Sequence, residues 1–197
     1  GFASAWQFNH EPDMTLVERD LEAGTVSVTT DKLCKNVTQA KNVLTQRMLF
    51  PSCGGEITVD GSALKEGDYA GLCALQGKYV QAALTREDGQ LYVVLMARTE
   101  EGTTSMGKTK DTTVPVLLEK TPVSSDRVKF RIGVDFEQMK DEAVLYFDMG
   151  EGYQQLGGPQ KLYFRLDHFT GCRFGLFIYS TEKIGGRVTF SEFIYRK

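Results

Sequence analysis

Side chains that act as bases at neutral pH are scarce in this sequence, because the only histidines are His10 and His168. Neither lies in a nucleophile motif such as G-x-S-x-G. The sequence has no glycine-rich loop that follows a strand and opens a helix, which disfavours nucleotide binding. It also lacks the spaced carboxylates that sandwich-fold glycan hydrolases carry on one strand face. The nearest acidic pairs are Glu66/Asp68, Asp135/Glu137 and Asp141/Glu142. Asp135 and Glu137 are expected to share a strand face, and the other two pairs to lie at turns. Because acidic residues are common at turns and on exposed strands, we predict no catalytic residues.

Long apolar runs and basic clusters are also missing. No stretch approaches the roughly 18 apolar residues of a membrane span. The net charge is −3 and no Lys/Arg run exceeds two residues, so neither a nucleic acid nor a membrane is an expected partner. The first residues, Gly1 to Trp6, have no basic region followed by an apolar run, so no signal peptide is expected and the compartment stays open. A neutral ligand such as an uncharged glycan fits this charge balance.

The four cysteines are Cys34, Cys53, Cys73 and Cys172, and none forms a C-x-x-C pair, which disfavours a zinc site. Cys73 and Cys172 lie in apolar runs and are predicted to be buried free thiols. Cys34 and Cys53 flank loops, where free thiols and a disulfide between them both fit the sequence. No cofactor or metal is expected; a structural calcium ion is an alternative that no residue pattern supports.

Strand-like alternation recurs along the chain, separated by turn residues such as Asp88-Gly89, and helical periodicity is almost absent. The predicted strands are Thr15–Arg19, Thr25–Thr30, Asn42–Leu49, Gly55–Val59, Tyr69–Gln76, Tyr79–Thr85, Gln90–Ala97, Thr113–Leu118, Arg127–Phe136, Ala143–Phe147, Arg173–Ser180 and Arg187–Tyr195. A short helical turn fits between Asp60 and Glu66. A dozen short strands in 197 residues predict one all-β domain over 1–197, a sandwich of two antiparallel sheets.

Alternation along two strands suggests a ligand groove. In the strand that begins at Arg173, alternate apolar residues form a core face, whereas Arg173 and Tyr179 share the other face with a glycine. A glycine lets a ligand approach the sheet, so this second face is a candidate groove floor. Gln46 and Arg47 lie on opposite faces of their strand, so at most one of them is expected to line it. Arg and Gln donors suit sugar hydroxyl groups.

Four motifs together resemble the C-terminal concanavalin-A-like domain of glycoside hydrolase family 43 β-xylosidases. They are WQFNHEPD (6–13), NVLTQR (42–47), GDYAGLCALQ (67–76) and the closing HFTGCRFGLF (168–177) with GGRVTF (185–190). The resemblance implies a jelly-roll sandwich that packs on a separate catalytic propeller in the same polypeptide. It also implies that an aromatic residue of the FTG loop, here Phe169, reaches the substrate pocket. In the family the last strand often carries acidic residues, where this chain has Thr189 and Ser191, so no metal is expected at that edge.

The resemblance implies a non-catalytic accessory module of a xylan- or arabinoxylan-degrading enzyme, such as a β-xylosidase or an α-arabinofuranosidase. Xylan or xylo-oligosaccharide is then the expected ligand. The alternatives are a purely structural domain with no glycan affinity and, less favoured, a free-standing sandwich hydrolase.

Trp6, the single tryptophan, is either a core residue or a stacking platform for a sugar ring. The candidate ligand-binding residues are Trp6, Gln46, Arg47, His168, Phe169, Arg173 and Tyr179.

Overall fold

The computed structural model describes residues 5–75, 78–98, 112–162 and 171–197. Strands dominate these ranges. In chain order they are β1 (Trp6–Phe8), β2 (Val17–Asp20), β3 (Thr25–Thr29), β4 (Leu44–Arg47), β5 (Ser52–Asp60), β6 (Asp68–Leu75), β7 (Tyr79–Glu87), β8 (Gln90–Ala97), β9 (Val116–Pro122), β10 (Arg127–Asp135), β11 (Glu142–Asp148), β12 (Gln154–Gln155), β13 (Gln160–Lys161), β14 (Arg173–Ser180) and β15 (Arg187–Arg196). Short 3-10 helices span Met14–Leu16, Val37–Gln39 and Glu137–Met139. None of the helices in the described ranges has the length and apolar character needed to cross a membrane.

The strands form two antiparallel sheets, which confirms the predicted sandwich. The first sheet has the order β1-β4-β14-β6-β7-β8-β9. The second has the order β12-β11-β10-β5-β15-β3-β2, and β13 also pairs with β11. Neighbours in space are often distant in sequence, as where β15 lies between β5 and β3. Long-range pairing of this kind is typical of jelly-roll and Greek-key sandwiches.

The core lies between the inner faces of the two sheets, and alternation decides which side chains reach it. On β14, Phe174, Leu176 and Ile178 are buried in the core cluster, as the alternation predicts. Phe130 and Ile132 of β10 are fully buried in the same cluster from the second sheet. Because successive side chains of a strand point to opposite faces, the residues between them face outward.

A second apolar cluster covers part of the outer face of the first sheet. There Phe177 and Tyr179 of β14 pack with Val37, Ala40 and Val43, which come from the segment before β4. All five side chains are at most 2% exposed. This segment therefore closes over the sheet face that the sequence analysis treated as a candidate groove floor.

A β-bulge in β15 changes which of its residues face the core. The pairing with β5 shifts between Ser191 and Ile194, and Glu192 has a left-handed φ of 54°. Before the bulge Phe190 faces inward, and after it Phe193 and Tyr195 do. Without the extra residue, both aromatic rings would point to solvent, since the side-chain period of a strand is two.

Most predicted strand positions are confirmed, and Gln90–Ala97 and Arg173–Ser180 match to the residue. The predicted strand at Thr15 is wrong at its start, because Met14–Leu16 is a 3-10 helix that Asp13 caps through Thr15. The predicted helical turn after Asp60 is also wrong, since this stretch contains only turns and a bridge. The alternation had no signal for β1, which pairs along its three residues with β4.

All four cysteines are buried free thiols, which confirms the prediction for Cys73 and Cys172. Cys34 belongs to the outer apolar cluster, whereas Cys53 belongs to the core between the sheets. Both are free in the structure, so the disulfide alternative is not the arrangement seen. Burial is the main cause that raises the pKa of Cys172 to about 12.

Candidate functional site

Two backbone contacts bring the flanks of residues 163–170 to the same end of the sandwich. The Leu162 amide donates to the Asp141 carbonyl, and the Met48 amide donates to the Cys172 carbonyl at 3.1 Å. His168 and Phe169, both candidate site residues, lie outside the described residues.

Within the described ranges, three exposed apolar side chains mark this end of the molecule, and we call them the docking end: Leu49, Phe50 and Met139. They are 41%, 75% and 85% exposed. The Phe136 amide donates to the Pro51 carbonyl at 2.9 Å, which ties the loop after β10 to the loop before β5. Large apolar groups gathered at one exposed end are typical of a surface that contacts a partner.

The loop that carries Met139 has an unfavourable backbone. Gln138, Met139 and Asp141 have φ values of 49°, 58° and 45°. Residues other than glycine avoid this left-handed region, because the Cβ atom approaches the carbonyl oxygen. Lys161 of β13 contributes to holding the loop, since its Nζ donates to the Lys140 carbonyl. Strained backbone of this kind recurs where a loop has a binding role.

Arg47 and Arg173 lie opposite each other on β4 and β14, at the corner of the first sheet beside the docking end. Nη1 of Arg173 donates to Gln7 Oε1 at 2.9 Å and approaches Thr45 Oγ1 at 3.4 Å. The Arg47 side chain is exposed. A Cβ atom on Gly171 would lie 3.8 Å from Arg47 Nε, so this arginine borders the chain that leads out of residues 163–170. The two arginines thus form one polar corner.

Trp6 and Gln46 lie on the other face of the sheet, paired across β1 and β4. The Trp6 ring packs edge-on against Phe193, with ring centres 4.5 Å apart and planes at 71°. A pocket of about 120 Å³ beside it is lined mostly by apolar residues, which include Leu44 and Leu176. The bulge in β15 supplies Phe193, so Trp6 closes the open edge of the sandwich. The five candidate residues that the structure describes therefore do not converge on one constellation.

Tyr179 is 1% exposed, which corrects its expected place on an open groove floor. Its ring stacks between Tyr69, at 5.3 Å, and Phe177, at 5.8 Å. Its hydroxyl oxygen accepts from Gln81 Nε2 at 2.9 Å, and burial raises the pKa of this phenol far above its ordinary value. Protein atoms surround the Tyr179 ring, so a ligand at this face would meet the covering segment first.

Asp135 and Glu137, the acidic pair expected on one strand face, lie on different elements. Asp135 ends β10, and Glu137 begins a 3-10 helix, so the expected shared strand face is wrong. Asp135 accepts from the Glu137 amide at 2.9 Å and from Lys140 Nζ at 3.2 Å. The amide hydrogen bond, followed by Lys140, lowers the Asp135 pKa, whereas a general acid needs a raised one. Among the described residues, no three His, Cys, Asp or Glu side chains could hold a metal ion together.

Asp68 is a buried structural carboxylate rather than a solvated turn residue as expected. Ser180 Oγ donates to Asp68 Oδ1 at 2.5 Å, and the Lys65 amide donates to Asp68 Oδ2 at 2.8 Å. Burial raises the Asp68 pKa above its ordinary value, and the two hydrogen bonds partly oppose this. A Cβ atom on Gly186 would lie 1.7 Å from Asp68 Oδ2. The glycine thus leaves room for the carboxylate, so two separate sequence motifs meet here.

A family model of the β-xylosidase C-terminal concanavalin A-like domain matches residues 2–196. The chain belongs to this family. A bifunctional GH43-CE protein from Bacteroides eggerthii is 34% identical, with a TM-score of 0.86 over 98% of the chain. No curated protein matches the sequence.

Two further solved structures share the fold of this C-terminal domain at lower identity. An engineered GH43 glycoside hydrolase with endo-xylanase and exo-arabinofuranosidase activity has a TM-score of 0.88 and 22% identity over all of the chain. The xylan β-1,4-xylosidase from Bacillus halodurans C-125 has a TM-score of 0.77 and 14% identity over the same coverage. The chain spans 24%, 38% and 37% of these three proteins, so it corresponds to one part of longer polypeptides.

Arg47 and Arg173 were predicted from the sequence as ligand-binding residues and stay predictions, whereas the docking end and the contact between Asp68 and Gly186 were not predicted. Leu49 was assigned to a strand, where an apolar residue needs no further explanation. Met139 follows a Phe-Glu-Gln stretch that has no turn signature. A signal existed for the β15 bulge, since its inward residues are spaced two, three and two apart from Val188 to Tyr195.

Proposed function

We propose that this domain is the non-catalytic accessory module of a xylan- or arabinoxylan-degrading family 43 glycoside hydrolase. It packs against a catalytic propeller in the same polypeptide through the docking end. Phe169, between the two flanks that meet there, contributes an apolar wall to the substrate pocket of the propeller. Arg47, exposed beside Gly171, adds donors at the rim of that pocket.

The exposure of the docking end is the observation that carries this proposal. Phe50 and Met139 are 75% and 85% exposed at the end where both flanks of residues 163–170 lie. Aromatic residues and Met are enriched at protein interfaces, because they bury much apolar area with few polar groups. An interface that includes this end would also bring the flanks of residues 163–170 next to the partner domain.

The test replaces Phe50 and Met139 with serine in the parent polypeptide. If the docking end holds the propeller, the double variant should loosen the two domains and lower kcat/KM on a xylobiose-type substrate. Ile184→Ser is the matched control, because Ile184 is 53% exposed but lies at the opposite end, before β15. Equal kinetics and equal protease resistance for the double variant and the parent would refute docking through this end.

Phe169→Ala in the same polypeptide tests the pocket role. We expect a higher KM or a lower kcat with unchanged folding, and unaltered kinetics would remove Phe169 from the pocket. The isolated chain should release no xylose from xylo-oligosaccharides. Release that is lost on neutralising Asp135 or Glu137 would show instead that the chain is a hydrolase.

A purely structural role is the second candidate, and the covered face of the first sheet favours it. Tyr179 and Phe177 are each 1% exposed, so the groove that alternation predicted on this face is closed at these positions. Calorimetry of the isolated chain with xylo-oligosaccharides separates the candidates. Binding at millimolar concentration or tighter supports recognition. If the isolated chain binds no sugar, while the Phe50 and Met139 double variant loses propeller docking, the structural role is supported.

A further inference from the structure

A groove crosses the outer face of the second sheet, away from the candidate ligand-binding residues. It has a volume of about 430 Å³ and lies over β5, β10, β11 and β15. A smaller depression of about 190 Å³ adjoins it and shares Glu56 and Arg196. Neither the family resemblance nor the motifs in the sequence point to this face.

Two neighbouring glycines form the floor of this groove, which we call the glycine groove. Gly54 of β5 pairs with Gly133 of β10, and Val144 and Arg196 flank them on the next strands. On each of β5 and β10, the two outward-facing residues that flank the glycine are four residues apart, which is about 13 Å along the strand. Gly133 is half-buried and Gly54 is buried. The floor is therefore open mainly at Gly133, in a gap long enough for a pyranose ring.

The fold itself does not require glycine at this floor. Neither Gly54 nor Gly133 has a positive φ, and a Cβ atom on Gly133 would meet no atom within 4 Å. Gly55 differs, because its Cβ would lie 3.2 Å from the Phe174 ring in the core. Glycine weakens a strand interior, and one reason to keep it is the close approach of a ligand to the backbone.

The wall above the floor is held in place before any ligand arrives. Glu56 is 6% exposed, and its Oε2 accepts from Arg196 Nε at 3.2 Å and from Nη2 at 3.1 Å. The Arg131 guanidinium lies over the Tyr146 ring at 5.3 Å and near the Tyr153 ring at 5.8 Å. Its Nε is 3.9 Å from Glu56 Oε1. Fixed donors of this kind lose little conformational freedom on binding.

The charges along the glycine groove nearly cancel. Four basic and three acidic side chains line it: Arg131, Lys140, Arg196, Lys197, Glu56, Asp135 and Glu142. A polyanion would meet the carboxylates, and a polycation would meet the guanidinium groups. Alternating donors and acceptors suit a ligand with many hydroxyl groups, which both donate and accept. An extended peptide is disfavoured, since strand addition uses the edge of a sheet and this is a face.

We propose that the glycine groove binds a neutral oligosaccharide, which lies over the backbone of Gly133, beside Gly54, against the wall of Arg131. Asp135 and Lys140 lie at one rim of the groove and border the loop that carries Met139. The groove therefore opens toward the docking end. A glycan bound here would lie on the same side of the domain as a docked partner. The docking end can hold a partner whether or not this groove binds sugar, so the two proposals fail separately.

The experiment titrates the isotopically labelled chain with xylohexaose, cellohexaose and mannohexaose and follows its backbone amides. We expect at least one of these neutral sugars to bind at millimolar concentration or tighter and to shift the amides around residues 54, 131–133 and 144. Gly133→Leu fills the floor and should weaken binding at least 10-fold. Gly158→Leu is the matched control, because a Cβ atom there also meets nothing within 4 Å and its φ is not positive. It should leave binding within twofold of the parent.

Arg131→Ala gives a second readout should leucine at the floor disturb folding, and it should weaken the same sugar at least 10-fold. Failure of all three sugars to bind at 10 mM would overturn the proposal. So would binding that Gly133→Leu and Arg131→Ala leave intact, or amide shifts confined to the first sheet. Tighter binding of trigalacturonate than of the neutral sugars would overturn the assignment to a neutral ligand.

Discussion

Replacing Gly186 with alanine should destabilise the domain strongly, although alanine suits the backbone there. The φ of Gly186 is not positive, so the change by itself would stabilise by roughly 0.4–1 kcal/mol through the unfolded chain. The added Cβ atom would, however, lie 1.7 Å from Asp68 Oδ2 and 2.6 Å from Asp68 Cγ. The buried carboxylate has to move, because two atoms cannot share this space.

The cost follows from the hydrogen bonds that the carboxylate loses. Ser180 Oγ and the Lys65 amide both donate to Asp68, at 2.5 and 2.8 Å. Hydrogen bonds to a charged group contribute about 1.5–3 kcal/mol each. Loss of both, less the gain from the unfolded chain, gives about 2–6 kcal/mol. At this chain length that corresponds to a fall in Tm of roughly 10 °C.

The assay is urea unfolding of four proteins: the parent, Gly186→Ala, Asp68→Ala and the double variant. If the clash is the cause, Gly186→Ala should cost less than about 1 kcal/mol once Asp68 is alanine, because the Cβ atom then has space. Gly133→Ala is the control at an open strand position and should stay within about 0.5 kcal/mol of the parent. Equal costs of Gly186→Ala in both backgrounds would refute the reasoning.

The remaining predictions concern the same buried carboxylate and a glycine packed against a neighbouring strand. Burial raises the folded pKa of Asp68 above its unfolded value, so its contribution to the free energy of unfolding should fall as the pH rises from about 4 through the folded pKa. Asp68→Asn should remove this part of the pH dependence in urea unfolding between pH 4 and 8; parallel curves for the two proteins would contradict it. A Cβ atom on Gly71 would lie 2.0 Å from the Ala82 carbonyl oxygen, which is backbone in the middle of β7. Gly71→Ala should therefore cost more than about 4 kcal/mol or prevent folding, and a Tm within a few degrees of the parent would show that the two strands can separate.

The sequence predicted part of the candidate site and only part of its geometry. Arg47 and Arg173 were expected near a ligand, and they do share a corner beside Gly171. Tyr179 was expected on the same open face, but it is covered. Alternation assigns a side chain to one face of the sheet and does not show what covers that face. The covering residues, Val37 and Ala40, come from a segment with no strand pattern and only reach Tyr179 in the folded chain.

Alternation and turn residues by themselves determined the fold class, because the alternation within each strand indicates which of its faces is buried. The ordered family motifs added the jelly-roll arrangement. The tertiary structure alone decided which motifs meet: Gly186 lies against Asp68, and Gly54 lies beside Gly133, across 118 and 79 residues of sequence. Such contacts depend on strand order and register, which no local pattern of side chains records. For the same reason, the docking end and the glycine groove appear only once distant loops and strands lie side by side.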